Sequence, residues 1–72
     1  MKVYVIEMTR GSNKSYVEFT YDIIWHEDLS QAEFYKTKKD AEDDIPMLME
    51  RESQYCKEEI TMQVREVEIN LV

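Results

Sequence analysis

Apolar and polar residues alternate along most of this chain, and the places where the alternation breaks mark where elements begin and end. From Lys2 to about Thr9, Val3 and Val5 fall on one side of an extended backbone and Tyr4, Ile6 and Met8 on the other. Both sides are apolar, which predicts a strand that is either internal to a sheet or meets a partner. The stretch Arg10-Gly11-Ser12-Asn13-Lys14 holds the only glycine. Gly and Asn tolerate positive φ, so a hairpin loop is expected here. "SYVEFTYDIIW" (Ser15 to Trp25) carries the cleanest period: Val17, Phe19, Tyr21, Ile23 and Trp25 on one face, Glu18, Thr20 and Asp22 on the other. That alternation predicts one strand packed on one side and solvated on the other.

His26 to Gln31 is polar and reads as a loop, after which Ala32 to Lys36 suits a short third strand with Phe34 inward. Thr37 stands three residues before Asp40, a variant of the capping box, so a helix is expected from Lys38 to about Cys56 or Lys57. At 3.6 residues per turn, Ala41, Ile45, Leu48, Tyr55 and Cys56 form an apolar stripe with Met49 at its edge. Glu52 falls inside that stripe. Pro46 offers two accounts: a kink that rotates the second half of the helix, or a second helix with Pro46 in its first turn. From about Glu59 the chain returns to strand pattern with Ile60, Met62 and Val64, and then the phase slips to Val67, Ile69 and Leu71. A bulge near Arg65-Glu66 would restore one face; without it the second half of the strand turns its apolar side to the opposite surface. The expected fold is α+β: an antiparallel sheet of three to four strands with one helix packed on one face, in the order ββ(β)αβ.

Seventy-two residues make a single domain, residues 1–72, with a thin margin of stability. One cysteine, Cys56, excludes an internal disulfide, and one histidine with one cysteine leaves no zinc-ligand spacing. A well-ordered sheet with a helix on it, or oligomerisation, must supply the stability instead. The start MKVYVIEMTR is too short and polar for a signal peptide, and no apolar run approaches the length of a membrane span, so a cytoplasmic location is expected.

Charge changes the picture most. Sixteen acids against nine bases give a net charge of −7 and a pI near 4.6. This opposes direct contact with nucleic acid or anionic membrane, where Lys and Arg supply affinity. A hydrophobic content of 43% argues against disorder. The acids crowd into "DAEDDIPMLME" (Asp40 to Glu50). Near a helix start they need no partner, since each gains about 0.3–1 kcal/mol from the macrodipole. The competing reading is a docking face. Asp40, Asp43, Met47 and Glu50 share one side of the helix, and Asp40, Glu42, Asp43, Asp44 and Glu50 would supply charge around Met47 as an apolar contact. Met47 and Arg51 interrupt the acidic run. A homodimer is the second expectation, through Val3 and Val5 or through Val67, Ile69 and Leu71.

Other chemistry is sparse. His26-Glu27-Asp28 is the one titratable cluster and lacks EF-hand spacing. Cys56 reads as a small buried hydrophobe, and a lone glycine cannot build a phosphate loop. No catalysis, metal or cofactor is expected. The aromatic residues are read as core, with Tyr16, Tyr35 and Tyr4 as the exposed exceptions available to protein contacts.

The ββ(β)αβ layout, the passage "YKTKKDAEDDI" (Tyr35 to Ile45) and the broad acidic excess resemble small acidic proteins encoded by bacteriophages that bind and block a host protein. That class includes DNA-mimic inhibitors of nucleoid proteins, inhibitors of uracil-DNA glycosylase and anti-CRISPR proteins. The resemblance implies action in the host cytoplasm and a partner that is basic and handles nucleic acid. This chain departs from a pure DNA mimic in keeping Lys36, Lys38 and Lys39 just before the acids.

Overall fold

In the computed structural model, which describes residues 1–69, a four-stranded antiparallel sheet carries one helix on one face. The elements run β1 (Lys2–Arg10), β2 (Asn13–Phe19), β3 (Ile23–His26), a single 3-10 turn (Leu29–Gln31), α1 (Lys38–Tyr55) and β4 (Ile60–Glu68). The strand order is β3-β2-β1-β4, so β1 is internal and β4 forms an edge. No helix among the described residues is long and apolar enough to cross a membrane.

β1 and β2 meet at the pair Arg10–Asn13, leaving Gly11 and Ser12 as a two-residue hairpin loop. Gly11 takes φ of +61°, the left-handed conformation that such a loop asks of its first residue and that glycine adopts without strain. The alternating stretch from Ser15 to Trp25 is two strands rather than one. Thr20, Tyr21 and Asp22 form a turn in which the Thr20 N–H donates to the Asp22 carbonyl at 3.1 Å and the Asp22 carboxylate accepts from the Ile23 N–H at 2.7 Å. The chain reverses with parity intact: Val17 pairs with Trp25 and Phe19 with Ile23, so these four keep one face. Tyr21, expected on that face, stands fully exposed at the turn.

The helix covers this face. Ile6, Val17, Ala41 and Leu48 are its fully buried centre, with Tyr4, Phe19, Trp25, Ile45, Met62 and Val64 packed around them. Thr37 caps the helix, its hydroxyl accepting from the Asp40 N–H at 3.1 Å. α1 runs unbroken through Pro46, so the second helix is not formed, and Pro46 is tolerated on the solvent side. Tyr55, expected in the apolar stripe, lies in the last turn and is 79% exposed. Cys56, just beyond it, is half-buried as the C-cap.

Only part of Ala32 to Lys36 joins the sheet. β2 pairs with β1 only as far as Tyr16–Glu7 and then diverges. The segment enters the gap, with the Glu33 N–H donating to the Val17 carbonyl at 2.7 Å and Tyr35 exchanging both backbone bonds with Tyr4 at 2.8 and 2.9 Å. Tyr35 packs against the core under α1. Phe34, its neighbour, therefore points to the other face and is 42% exposed, which corrects the inward assignment.

β4 pairs with β1 in one uninterrupted register from Lys2–Glu68 to Arg10–Ile60, so no bulge restores the phase. Met62 and Val64 face the helix, while Val67 faces away beside Val3. Replacing Leu48, fully buried at the helix–sheet contact, by Ala should lower unfolding free energy by about 2–5 kcal/mol in urea titrations.

Candidate functional site

The exposed side of α1 is organised by helical spacing. Asp40, Asp43, Met47 and Glu50 follow one another at three- and four-residue steps and share one face. All four are exposed, Met47 at 46%. Lysines one turn earlier partner two of the acids: Lys38 Nζ lies 3.7 Å from Glu42 and Lys39 Nζ 3.9 Å from Asp43. Both pairs are solvent-exposed and loose, the kind worth about 0–1 kcal/mol. Asp40 and Glu50 form no ion pair among the described residues.

Asp44 is set apart from this face. It is half-buried and accepts a 2.6 Å hydrogen bond from the Tyr35 hydroxyl. Burial and the neighbouring carboxylate push the Tyr35 hydroxyl well above its usual pKa, so it stays a donor. Tyr35 is thus part of the core rather than an exposed contact, and Asp44 secures the helix to the Ala32–Lys36 segment.

Arg51, one turn beyond Met47, reaches out of the helix to Asp22 with Nη2 2.9 Å from the carboxylate. This pins α1 to the β2–β3 turn and brings two exposed tyrosines to its borders: Tyr21, the residue before Asp22, and Tyr55, one helical turn after Arg51. The sequence pattern placed both inside. The signal that could have found Tyr21 is weak, because "TYD" contains neither Gly nor Pro.

The sheet face away from the helix holds a second cluster that alternation alone did not single out. Glu7 is completely buried there. Its carboxylate accepts from Arg65 Nη1 at 2.8 Å, Gln63 Nε2 at 2.8 Å and the Tyr16 hydroxyl at 3.0 Å, with Lys14 Nζ at 4.0 Å. Burial alone would raise its pKa, but the bonds from Arg65, Gln63 and Tyr16 outweigh it and hold the carboxyl below the ordinary value. Burial, together with the bond to Glu7, pushes the Tyr16 hydroxyl up. Tyr16, expected to be exposed, is half-buried by this engagement, as is Tyr4 by the core on the opposite face.

Val3, Val5 and Val67 lie on the same outer face, Val3 directly opposite Val67. Val5 is fully buried and pairs with Arg65, whose side chain reaches on to Glu7. Ile69 follows at the edge, its N–H donating to the Met1 carbonyl at 2.7 Å; Leu71 lies outside the described residues. His26 Nε2 sits 2.9 Å from Glu18 on this face. Asp28 instead caps the 3-10 turn through the Ser30 N–H at 2.9 Å, so the His26-Glu27-Asp28 cluster does not converge. Among the described residues, no group of three or more His, Cys, Asp or Glu is placed to hold a metal ion.

Comparison of the chain with protein-family models, with curated proteins and with solved structures returns no match.

The Glu7 cluster makes a signed prediction. A carboxyl whose folded pKa lies below its unfolded value of about 4.5 adds stability above that pH and loses it as pH falls through the folded value. Glu7→Gln should therefore cost about 1–3 kcal/mol at neutral pH. The gap between wild type and variant should narrow progressively as pH falls below about 4.5, as read from paired urea titrations across pH.

Proposed function

We propose that this chain is a small acidic binding protein that lays the exposed face of α1 on a basic surface of another protein and so occludes it. The observation that carries this reading is the alignment of Asp40, Asp43 and Glu50 around the exposed Met47 on a rigid, capped helix. Met47 offers an adaptable apolar centre, and the carboxylates steer and orient a cationic partner. The lysine pairs of Glu42 and Asp43 do not oppose this, because such weak exposed pairs exchange for a partner's Lys or Arg at little cost.

Carboxylates three and four residues apart stand about 5–6 Å from one another, a spacing that suits a surface built to hold phosphates. A nucleic-acid-handling protein is therefore the partner class that fits, in the manner of the bacteriophage inhibitors the sequence resembles. Tyr21 and Tyr55, with the Arg51–Asp22 pair between them, extend the face with residue types enriched in protein interfaces. Asp44 contributes charge from behind the face rather than a direct contact.

The test is capture from nuclease-treated bacterial lysate by the tagged protein, followed by elution with salt. Retention of a basic nucleic-acid-binding protein at low salt and its release at high salt is expected. The double substitution Asp40→Lys/Glu50→Lys should weaken binding to that protein by at least about tenfold, and Met47→Ala by about three- to tenfold. Equal capture by the double variant, or retention indifferent to salt, would rule out the helix face as the contact.

A further inference from the structure

Among the described residues, the sheet face opposite α1 carries no second layer of secondary structure, and its strands hold equal numbers of acids and bases. Its strands contribute Glu7 and Glu18 as acids and Lys14 and Arg65 as bases, Glu7 is already neutralised by Arg65 at 2.8 Å, and Glu58 and Glu59 border the face beside Thr9 and Thr61. At one end, Val3, Phe34 and Ile69 line an apolar groove of about 480 Å³ whose rim carries Lys2 and Lys36. At the other end, Ile24 is 39% exposed opposite Glu18.

We propose that this face is where two copies of the chain meet. Charge decides the occupant. Each copy carries −7, so contact through the helix face or the acidic loops would press like charges together. The outer sheet face lets two copies approach with their helix acids turned apart, so the repulsion is weakest there, and beside the engaged Glu7 its strands offer a basic partner only Glu18. A two-fold interface sets the same patch on both copies, and here each copy presents the apolar groove walled by the part-exposed Phe34. Its size is sufficient for a weak dimer. Strands of 9, 7, 4 and 9 residues at about 3.3 Å per residue and about 4.8 Å per strand present roughly 450 Å² of sheet. Two copies bury on the order of 1,000 Å², near the lower limit for a specific interface. The dimer is independent of the helix face, which it leaves free on both copies.

Sedimentation equilibrium from about 10 µM to about 1 mM tests this, first at low and then at high salt. The mass should rise with concentration from 8.7 kDa toward twice that value. Added salt should favour the dimer by screening the repulsion between copies, opposite in sign to its effect on capture of a basic partner. Phe34→Glu and Ile24→Lys alter exposed side chains, so both variants should melt like the wild type. Each should raise the concentration for half-dimerisation at least tenfold, while Met47→Lys should leave it unchanged. A mass of 8.7 kDa at the highest concentration in high salt would overturn the proposal. So would a dimer indifferent to both sheet-face variants, or one broken by Met47→Lys. Capture of a basic partner is read separately, through the double variant Asp40→Lys/Glu50→Lys, so the two readings fail separately.

Discussion

β1 is the strand on which the rest of the molecule is assembled. It pairs with β2 over one half of its length, with Tyr35 at the other, and with β4 along the whole of its opposite edge. A strand in that position has two buried faces, but among the described residues one α-helix is present to cover them. The covered face is solved with hydrocarbon: Ile6 meets Val17, Ala41 and Leu48. The other face must be closed by the sheet's own side chains, and the buried carboxylate of Glu7 is central to that closure. A charge in such a place is tolerated only when its oxygens are fully bonded. Arg65, Gln63 and Tyr16 bond it from both neighbouring strands. Their long side chains thereby act as a thin roof where a second helix would otherwise lie.

The two faces thus end in different electrostatic states. The helix places six acids and three bases in one element, and among its acids only Asp44 is drawn into the structure by a short hydrogen bond, to Tyr35. The outer sheet face balances its charges internally. A molecule divided this way can keep an acidic surface for one kind of partner and a neutral surface for another, and the helix-borne surface gains rigidity from the Thr37 cap and the Arg51–Asp22 pair.

Where the sequence was informative, a single period carried the information. The helix from Lys38, capped by Thr37, was legible because its apolar spacing and its cap agree. The slip between Val64 and Val67 was legible too, and the unbroken register shows that it marks a real change of face. What was not legible depended on reversals that leave parity unchanged. Val17, Phe19, Ile23 and Trp25 keep one face whether the strand is straight or folded, so alternation could not reveal the turn at Tyr21. Phe34 and Tyr35 differ by one position, and only the backbone pairing of Tyr35 with Tyr4 decides which ring enters the core. Of the helix acids, Asp40, Asp43 and Glu50 lie exposed on the side that spacing indicates, whereas the engagement of Asp44 depends on that same Tyr35 pairing. Glu7 was invisible because its three partners come from β2 and β4, remote in sequence from one another.

The full pairing of β1 with β4 joins residues as distant as Lys2 and Glu68, and this has a consequence for how the chain folds. The β1–β2 hairpin around Gly11 closes a short loop, whereas pairing β4 with β1 closes a loop that contains the whole of α1 and carries the larger entropic cost. Without β4, Glu7 would have Tyr16 and Lys14 beside it but neither Gln63 nor Arg65, and its burial would be less favourable. The same carboxylate that closes the outer face thus ties the stability of the sheet's centre to the docking of its last strand, because two of its donors, Gln63 and Arg65, are carried by β4.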